Sequence, residues 1–508
     1  MVSRRRVVLW TFLAILAGVV RFWNLGAHGL TCDELLSLTD ATGGSMVTPI
    51  GPDASTFTAD DFWRGNTLGG LREAVERQDG GNGVLHAVAL HSWVGLFGTA
   101  DASARALSVL FGVALVLLAY AFASSLLSER VALVAAVMLS LHPMLVRYSR
   151  EARGYALATL LALGATYVFV RLALAPATVP PRGFRAVAYG LLAGAAILSH
   201  YLVVAVFAGH LAFALARVRE GRVWKRLIVG WVVAALMVAT WMASGGAEGM
   251  RRMSARNAMF RQRVEQKTAR HERPSTIGNV SHDLVVVAQQ LTGNAVDPDA
   301  PISRAETLLL LAPCVLLAAA LLQAPAATSP VILLATLAVA APVQAIVLAL
   351  LAGHTTSLIP RYSVFSEPYL LLLMAAGASA IRQVRGPWRA APVAAVIVLG
   401  VLWARSLSRV WSDAPIFRPP NAYAEGAARV ASIASPGDVI VHPHWQSARL
   451  CALYLPRGAA FTQRVKRQDA AAPLRVLREG RAVLELDVPR ACPKNAFGEP
   501  VEQPPDRP

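Results

Sequence analysis

Apolar runs long enough to cross a bilayer recur along most of the 508-residue chain, separated by short basic segments. A helix crosses a hydrocarbon layer about 30 Å thick in about 20 residues. The runs are continuous and rich in Ala, Leu and Val instead of alternating, which argues against a membrane barrel. With 55% hydrophobic and only 16% charged residues, the chain is too apolar for a soluble protein of this size. The pattern predicts a polytopic α-helical membrane protein with about eleven spans. They are placed near 7–25, 103–127, 131–146, 154–173, 185–199, 202–217, 224–243, 305–323, 330–352, 363–381 and 390–407.

The net charge of +17 does not indicate a nucleic-acid partner. Basic residues cluster between the apolar runs, where orientation signals and contacts to lipid headgroups are expected. Arg4, Arg5 and Arg6 put the N-terminus in the cytoplasm, and no small-residue cleavage site precedes Arg21, so the first span reads as uncleaved. The basic turns at 128–130, 171–185, 217–226 and 382–389 read as inner. Alternation then assigns to the outer side the loop 26–102, the turns 142–155 and 198–202, the loop 244–304, the segment 354–363, and everything from 407 to 508. The short apolar stretch 84–98 would break this parity as a span, and reads as a helix in the outer interface. Nearly every unusual polar residue falls on the outer side, which is where a site is expected.

The sequence "RFWNLGAHGLTCDELLSL" places Asp33 and Glu34 just beyond the first span. Thr31 and Glu34 have the spacing of a capping box that opens a helix. Equally, a carboxylate at the bilayer surface can act as general base toward a hydroxyl. Both readings stand on the residues alone. In "RYSREARGYAL", Arg147, Arg150 and Arg153 accompany Glu151 and Tyr155. Arginines near apolar surroundings are costly unless paired or meeting an anion, and their fork of donors suits a phosphate. "SHY" (His200, Tyr201) and "PRYS" (Arg361, Tyr362) each read singly as interfacial anchors; their shared side is what links them. The basic stretch from Arg251 to Arg273 reads first as an amphipathic helix on anionic headgroups, and second as a gate over a lipid phosphate.

From about residue 421 the pattern changes to helix, "SPGD" turn and buried strand, the mark of a small α/β domain with a Pro-rich tail. Of the cysteines, Cys314 reads as packing and Cys32 fits no metal spacing. Cys451 and Cys492 are a candidate disulfide in an extracytoplasmic segment. No phosphate-binding Gly loop, zinc spacing or nucleophile elbow is present. Nothing in the sequence requires a cofactor; a divalent metal is possible but unsupported by any ligand motif.

Taken in order, these segments resemble the membrane-embedded GT-C glycosyltransferases, and among them the protein O-mannosyltransferase and aminoarabinose transferase group. The resemblance is carried by an Arg in the first span followed by "DE", and by "LHSWVGLFGTADASARALSVLFG". It continues through "HPMLVRYSREARGYALATLLALGATY", "LSHYL", "PRYSVFSEPYLLLL" and "GDVIVHPHW". Where that group often has "PPLY", this chain has "GNGVLHAVAL", and His86 and His91 have no role there. The resemblance implies a transmembrane catalytic domain over 1–407 and a small extracytoplasmic domain over 408–508. It implies an inverting transfer of a sugar from a polyprenyl-phosphate donor to an acceptor hydroxyl on a glycan, lipid or protein. Asp33 would be the base and Glu34 would orient it or the acceptor. Arg153 and Arg361, with Arg150, would hold the phosphate. Tyr155, His200, Tyr201 and Tyr362 would line the pocket. A transporter of lipid-linked sugars and an inactive scaffold of the same fold are the competing readings. Against the transporter, the spans read as uniformly apolar and no half of the chain repeats the other.

Overall fold

Wherever the apolar runs are described, they are helices. The protein is seen in a computed structural model that describes residues 4–27, 29–43, 56–57, 66–78, 80–174, 183–255, 280–294, 308–323, 329–352, 360–379, 390–412, 422–442, 453–455, 462–465 and 473–486. In chain order the elements are α1 (Arg4–Phe22), α2 (Cys32–Ala41), β1 (Thr56–Phe57), α3 (Leu68–Gln78), α4 (Val84–Phe97) and α5 (Asp101–Leu126). Next come α6 (Glu129–Leu141), α7 (Pro143–Ser149), α8 (Tyr155–Ala173), α9 (Phe184–Ser199), a 3₁₀ turn (Tyr201–Val203), α10 (Val204–Arg217) and α11 (Gly221–Trp241). A π turn (Met242–Gly246) precedes α12 (Val280–Leu291), α13 (Leu311–Gln323), α14 (Ser329–Ala352), a second 3₁₀ turn (Pro360–Ser366), α15 (Glu367–Ser379) and α16 (Ala390–Ser412). The chain ends in α17 (Ala422–Ile433), β2 (Val439–His442), β3 (Thr462–Val465), β4 (Leu474–Arg478) and β5 (Arg481–Leu486).

Five described helices are long and apolar enough to cross a membrane: Asp101–Leu126, Tyr155–Ala173, Gly221–Ala255, Ser329–Leu351 and Ala390–Ser412. The bent pair α6 and α7 adds a sixth if it is one span, and Val84–Phe97, Phe184–Ser199 and Tyr201–Arg217 are apolar but shorter. The expected tally of eleven is therefore not reached among the described residues by this measure. The expected span 131–146 is also divided. Its helix stops at Leu141, and α7 leaves at 59°. Pro143 has no N–H to continue the ladder and pushes His142 out of the helical region, to φ −66 and ψ 118.

The chain forms two compact units. The first comprises Met1–Trp23, Ser108–Ala243 and Asn257–Ser412. In it α9 packs on α8 and α11, α15 on α6, α13 and α14, and α10 on α14. The α9–α11 contact is close because both sides present glycine. A Cβ on Gly190 would lie 2.3 Å from the Gly230 carbonyl oxygen, and one on Gly194 would lie 2.8 Å from the Met237 sulfur. The Gly190–Gly194 spacing is the small-xxx-small pattern by which membrane helices approach. A buried polar chain ties further helices together. Trp231 donates to the Tyr189 hydroxyl (3.2 Å), which meets Nδ1 of His210 (3.1 Å). His210 Nε2 meets Thr166 (3.0 Å), and Thr166 meets the Tyr369 hydroxyl (2.6 Å).

The second unit comprises Asn24–Leu107, Ser244–Arg256 and Asp413–Pro508. In it α2 packs on α3 and α4, and a five-stranded sheet has the order β1-β3-β2-β4-β5. Strands β2 and β3 are parallel; the other pairs are antiparallel. The strand predicted at Val439–Val441 is present as β2, with Ile440 fully buried beside Leu474 and Val476 of β4. The sheet also takes in Thr56–Phe57, which pairs with Gln463 and Arg464. A boundary at 407 places that strand outside the C-terminal domain. The basic stretch 256–273, Cys451 and Cys492 lie outside the described residues.

Candidate functional site

In the second unit, Thr31 caps α2. Its side chain accepts from the Glu34 N–H (3.2 Å), and Glu34 Oε2 accepts from the Thr31 N–H (2.9 Å), so the capping box read from the sequence is present. Glu34 is also fully buried and held by a residue 71 positions away. Arg105 Nε donates to Glu34 Oε1 (2.6 Å) and Nη2 to Oε2 (2.8 Å). The same guanidinium donates to the carbonyls of Leu25 (3.0 Å) and Gly29 (2.7 Å). Arg105 thus fixes both the approach to α2 and its first turn. Asp33, in that turn, keeps its side chain partly exposed. Glu34 is thus fixed by the fold from two sides, while Asp33 beside it is only half-buried.

Arg105 was not among the expected site residues. Its signal was a basic residue inside the run 103–127, which is rarely tolerated in a span without a partner. In the same unit the hydroxyl of Tyr454 donates to Asp101, and His91 Nδ1 lies 2.7 Å from the Ala41 carbonyl oxygen. This gives His91 a place in packing α4 on α2.

In the first unit, His200 gathers several expected residues. It lies in the turn between α9 and α10, with its ring 5.0 Å from Tyr155, 5.1 Å from Phe365 and 6.3 Å from Tyr362. The guanidinium of Arg361 stands over the Tyr362 ring at 5.4 Å. Burial, and then the charges of Arg153 and Arg361, hold the His200 imidazole down to about 3. Burial is the larger cause of the ring's neutrality, and the two cations add to it. Arg153 and Tyr155 are buried, and the Arg153 carbonyl accepts from Ser108 (3.3 Å). Two guanidinium groups around a neutral ring, walled by aromatic faces, make a corner suited to an anion.

Other expected residues are placed differently. Arg150 is fully buried and donates to the Trp23 carbonyl (2.6 Å), which anchors the chain leaving α1. The Tyr201 hydroxyl accepts from Trp241 (2.9 Å) and so ties the turn to α11. Arg21 in α1 donates to Ser149 (2.9 Å) and to the carbonyls of Leu139 and Ser140 at the end of α6, where a cation complements the helix dipole. Among the described residues, no three His, Cys, Asp or Glu side chains come together as a metal site.

The fold of the chain is similar to that of solved GT-C membrane glycosyltransferases. The chain aligns at TM-score 0.52 with the crystal structure of ArnT from Cupriavidus metallidurans bound to undecaprenyl phosphate, at 16% identity over 89% of this chain and 85% of that one. The same protein in the apo state gives TM-score 0.51 at 15% identity, over 89% and 84%. The apo oligosaccharyltransferase of Archaeoglobus fulgidus gives 0.52 at 11% identity, over 89% of this chain and 65% of that one. At these identities the likeness is one of fold. Within the class, residues 84–243 match the family of dolichyl-phosphate-mannose-protein mannosyltransferases. The resemblance read from the sequence is thereby borne out as a likeness, and its several apolar helices make the chain a multi-pass membrane protein. No curated protein sequence matches it.

Proposed function

We propose that the protein transfers a sugar from a polyprenyl-phosphate donor to an acceptor hydroxyl at the outer face of the membrane, with inversion at the anomeric carbon. The observation that carries this reading is the corner around the buried His200, whose ring lies 5.0 Å from Tyr155 and 6.3 Å from Tyr362, with the Arg361 guanidinium over the Tyr362 ring at 5.4 Å. As the sugar leaves, negative charge grows on the donor phosphate, and fixed cations in a water-poor site stabilise that charge. Arg153 and Arg361 take this role, with Tyr155 and Tyr362 as walls. Arg150 supports the segment through Trp23. Asp33 takes the proton of the acceptor hydroxyl as it attacks, and Glu34, locked by Arg105, orients the turn that carries Asp33. The N-terminus is cytoplasmic, and residues 407–508 lie outside. The acceptor is a glycan, a lipid or a protein.

The test uses the purified protein in lipid nanodiscs with a panel of polyprenyl-phosphate sugars, following release of free polyprenyl phosphate. Release by wild type that Asp33→Asn abolishes, with donor binding retained, supports the proposal. Equal release by both removes Asp33 from the chemistry. Binding and transbilayer movement without release favours a transporter.

A further inference from the structure

Within the second unit, the C-terminal sheet is joined at two places to the segments that flank Asp33. The first join is β1, which follows α2 in the chain and pairs with Gln463 and Arg464 of β3. The second is Tyr454. It lies in the crossover between the parallel strands β2 and β3, and its hydroxyl donates to Asp101 Oδ1. Leu453 and Leu455 on either side of it are buried, and the Leu453 carbonyl accepts from the Thr99 hydroxyl (3.4 Å). The phenol therefore sits in a packed seat against the start of α5.

Asp101 gives that hydroxyl its weight. It is a buried carboxylate in the first turn of α5, and among the described residues its Oδ2 has no hydrogen-bond partner. A carboxylate taken out of water is costly unless it is hydrogen-bonded, and Tyr454 supplies that bond. Arg105 follows four positions later, one turn along the same face of α5. Its guanidinium holds both oxygens of Glu34. A continuous support thus runs from the sheet to the first turn of α2. Tyr454 seats Asp101, α5 carries Arg105 in register with it, and Arg105 grips Glu34 next to Asp33. At the other end of α2, β1 ties the outgoing chain to the same sheet.

We propose that Tyr454 is a positioning residue for the transfer: from the C-terminal sheet it seats the start of α5, so that Arg105 fixes the turn that carries Asp33. Tyr454 itself touches neither donor nor acceptor. This inference rests on the reading of Asp33 as the base.

The test uses the full chain in nanodiscs, with a polyprenyl-phosphate sugar that wild type turns over. It measures polyprenyl phosphate release at saturating donor and acceptor, undecaprenyl phosphate binding, and hydrogen exchange of the first turn of α2. The variants are Tyr454→Phe, Asp101→Ala, their double variant and Asp101→Asn, with Asp33→Asn beside them. Tyr454→Phe is expected to lower turnover by roughly tenfold to a hundredfold, the scale of loss from a reacting group misplaced by about an ångström. Its affinity for undecaprenyl phosphate stays within about twofold of wild type, and the amides of the first turn of α2 exchange faster. Asp101→Ala behaves alike, and the double variant loses no more than the worse single one. Asp101→Asn, which keeps an oxygen to accept from the Tyr454 hydroxyl, recovers most of the turnover. If Asp101→Ala does not fold, Tyr454→Phe carries the test, because it removes one oxygen and keeps the ring. Wild-type turnover in Tyr454→Phe, additive losses, or an equal loss of turnover and undecaprenyl phosphate binding overturns Tyr454 as a positioning residue; if Asp33→Asn is inactive in the same assay, the reading of Asp33 stands. Asp33→Asn as active as wild type overturns that reading and this inference with it.

Discussion

Arg105 grips the Glu34 carboxylate at two points, 2.6 and 2.8 Å, with both side chains fully out of solvent. The pair joins the start of α5 to the first turn of α2, next to Asp33. Removing one partner of a buried pair leaves the other charge unpaired, which costs about 3 to 5 kcal/mol. Arg105→Ala is therefore expected to lower thermal stability sharply. Arg105→Lys should fold better yet lose most activity, because an ammonium cannot match the two-point contact or reach the Leu25 and Gly29 carbonyls together. Thermal unfolding in nanodiscs, run beside the release assay, checks both.

The two carboxylates should separate by phenotype. Asp33→Asn is expected to retain the wild-type melting temperature and lose turnover by roughly a hundredfold or more, the range for a general base. Glu34→Gln should lose stability first, because it weakens both the Arg105 contact and the cap. A melting temperature for Asp33→Asn as low as that of Glu34→Gln would argue that Asp33 serves the helix.

Arg361→Ala is expected to cut turnover by roughly a hundredfold or more, as when a preorganised donor to a developing charge is removed. Arg361→Lys should recover part of it, through charge without the fork. The measurement is the rate of polyprenyl phosphate release at saturating acceptor.

Gly190→Ala tests the α9–α11 contact. A methyl group there would sit 2.3 Å from the Gly230 carbonyl oxygen, so the helices must part. A loss of about 1 to 3 kcal/mol is expected from such overpacking. Gly183→Ala, which meets nothing within 4 Å, should be silent by the same thermal assay.

The C-terminal sheet should show an acid limit. Hydrogen bonds from Arg478 at 2.9 and 3.1 Å, and then from the Ser435 N–H at 2.8 Å, hold the Asp438 carboxyl below its ordinary range. A depressed carboxylate contributes stability that is present above its unfolded pKa and is lost as pH falls through the folded value. Local protection of β2 and β4 from hydrogen exchange should therefore fall below about pH 4. In Asp438→Asn, protection should be lower at neutral pH and flat across that range.

What the sequence by itself determined is local. The apolar runs are helical because a backbone in lipid must satisfy its own hydrogen bonds. The capping box joins Thr31 and Glu34 across three positions. The strand at Val439–His442 follows from an apolar β-branched run after a turn. Each depends on neighbours a few positions apart, so the pattern is visible along the chain. The tertiary structure decided what depends on distant partners. Sequence alone left Glu34 between helix cap and catalysis; Arg105, 71 residues on, makes it a buried anchor. Arg150 reaches the Trp23 carbonyl, 127 residues away, a contact that no local pattern announces. Thr56–Phe57 is too short to be recognised as a strand without β3 beside it. His142 and Glu367, each unremarked in an apolar run, come within 3.2 Å of each other only in the fold. The physical reason is common to all of them. A buried charge or an unpaired strand edge is tolerated only with its partner in place, and packing, not local pattern, selects that partner.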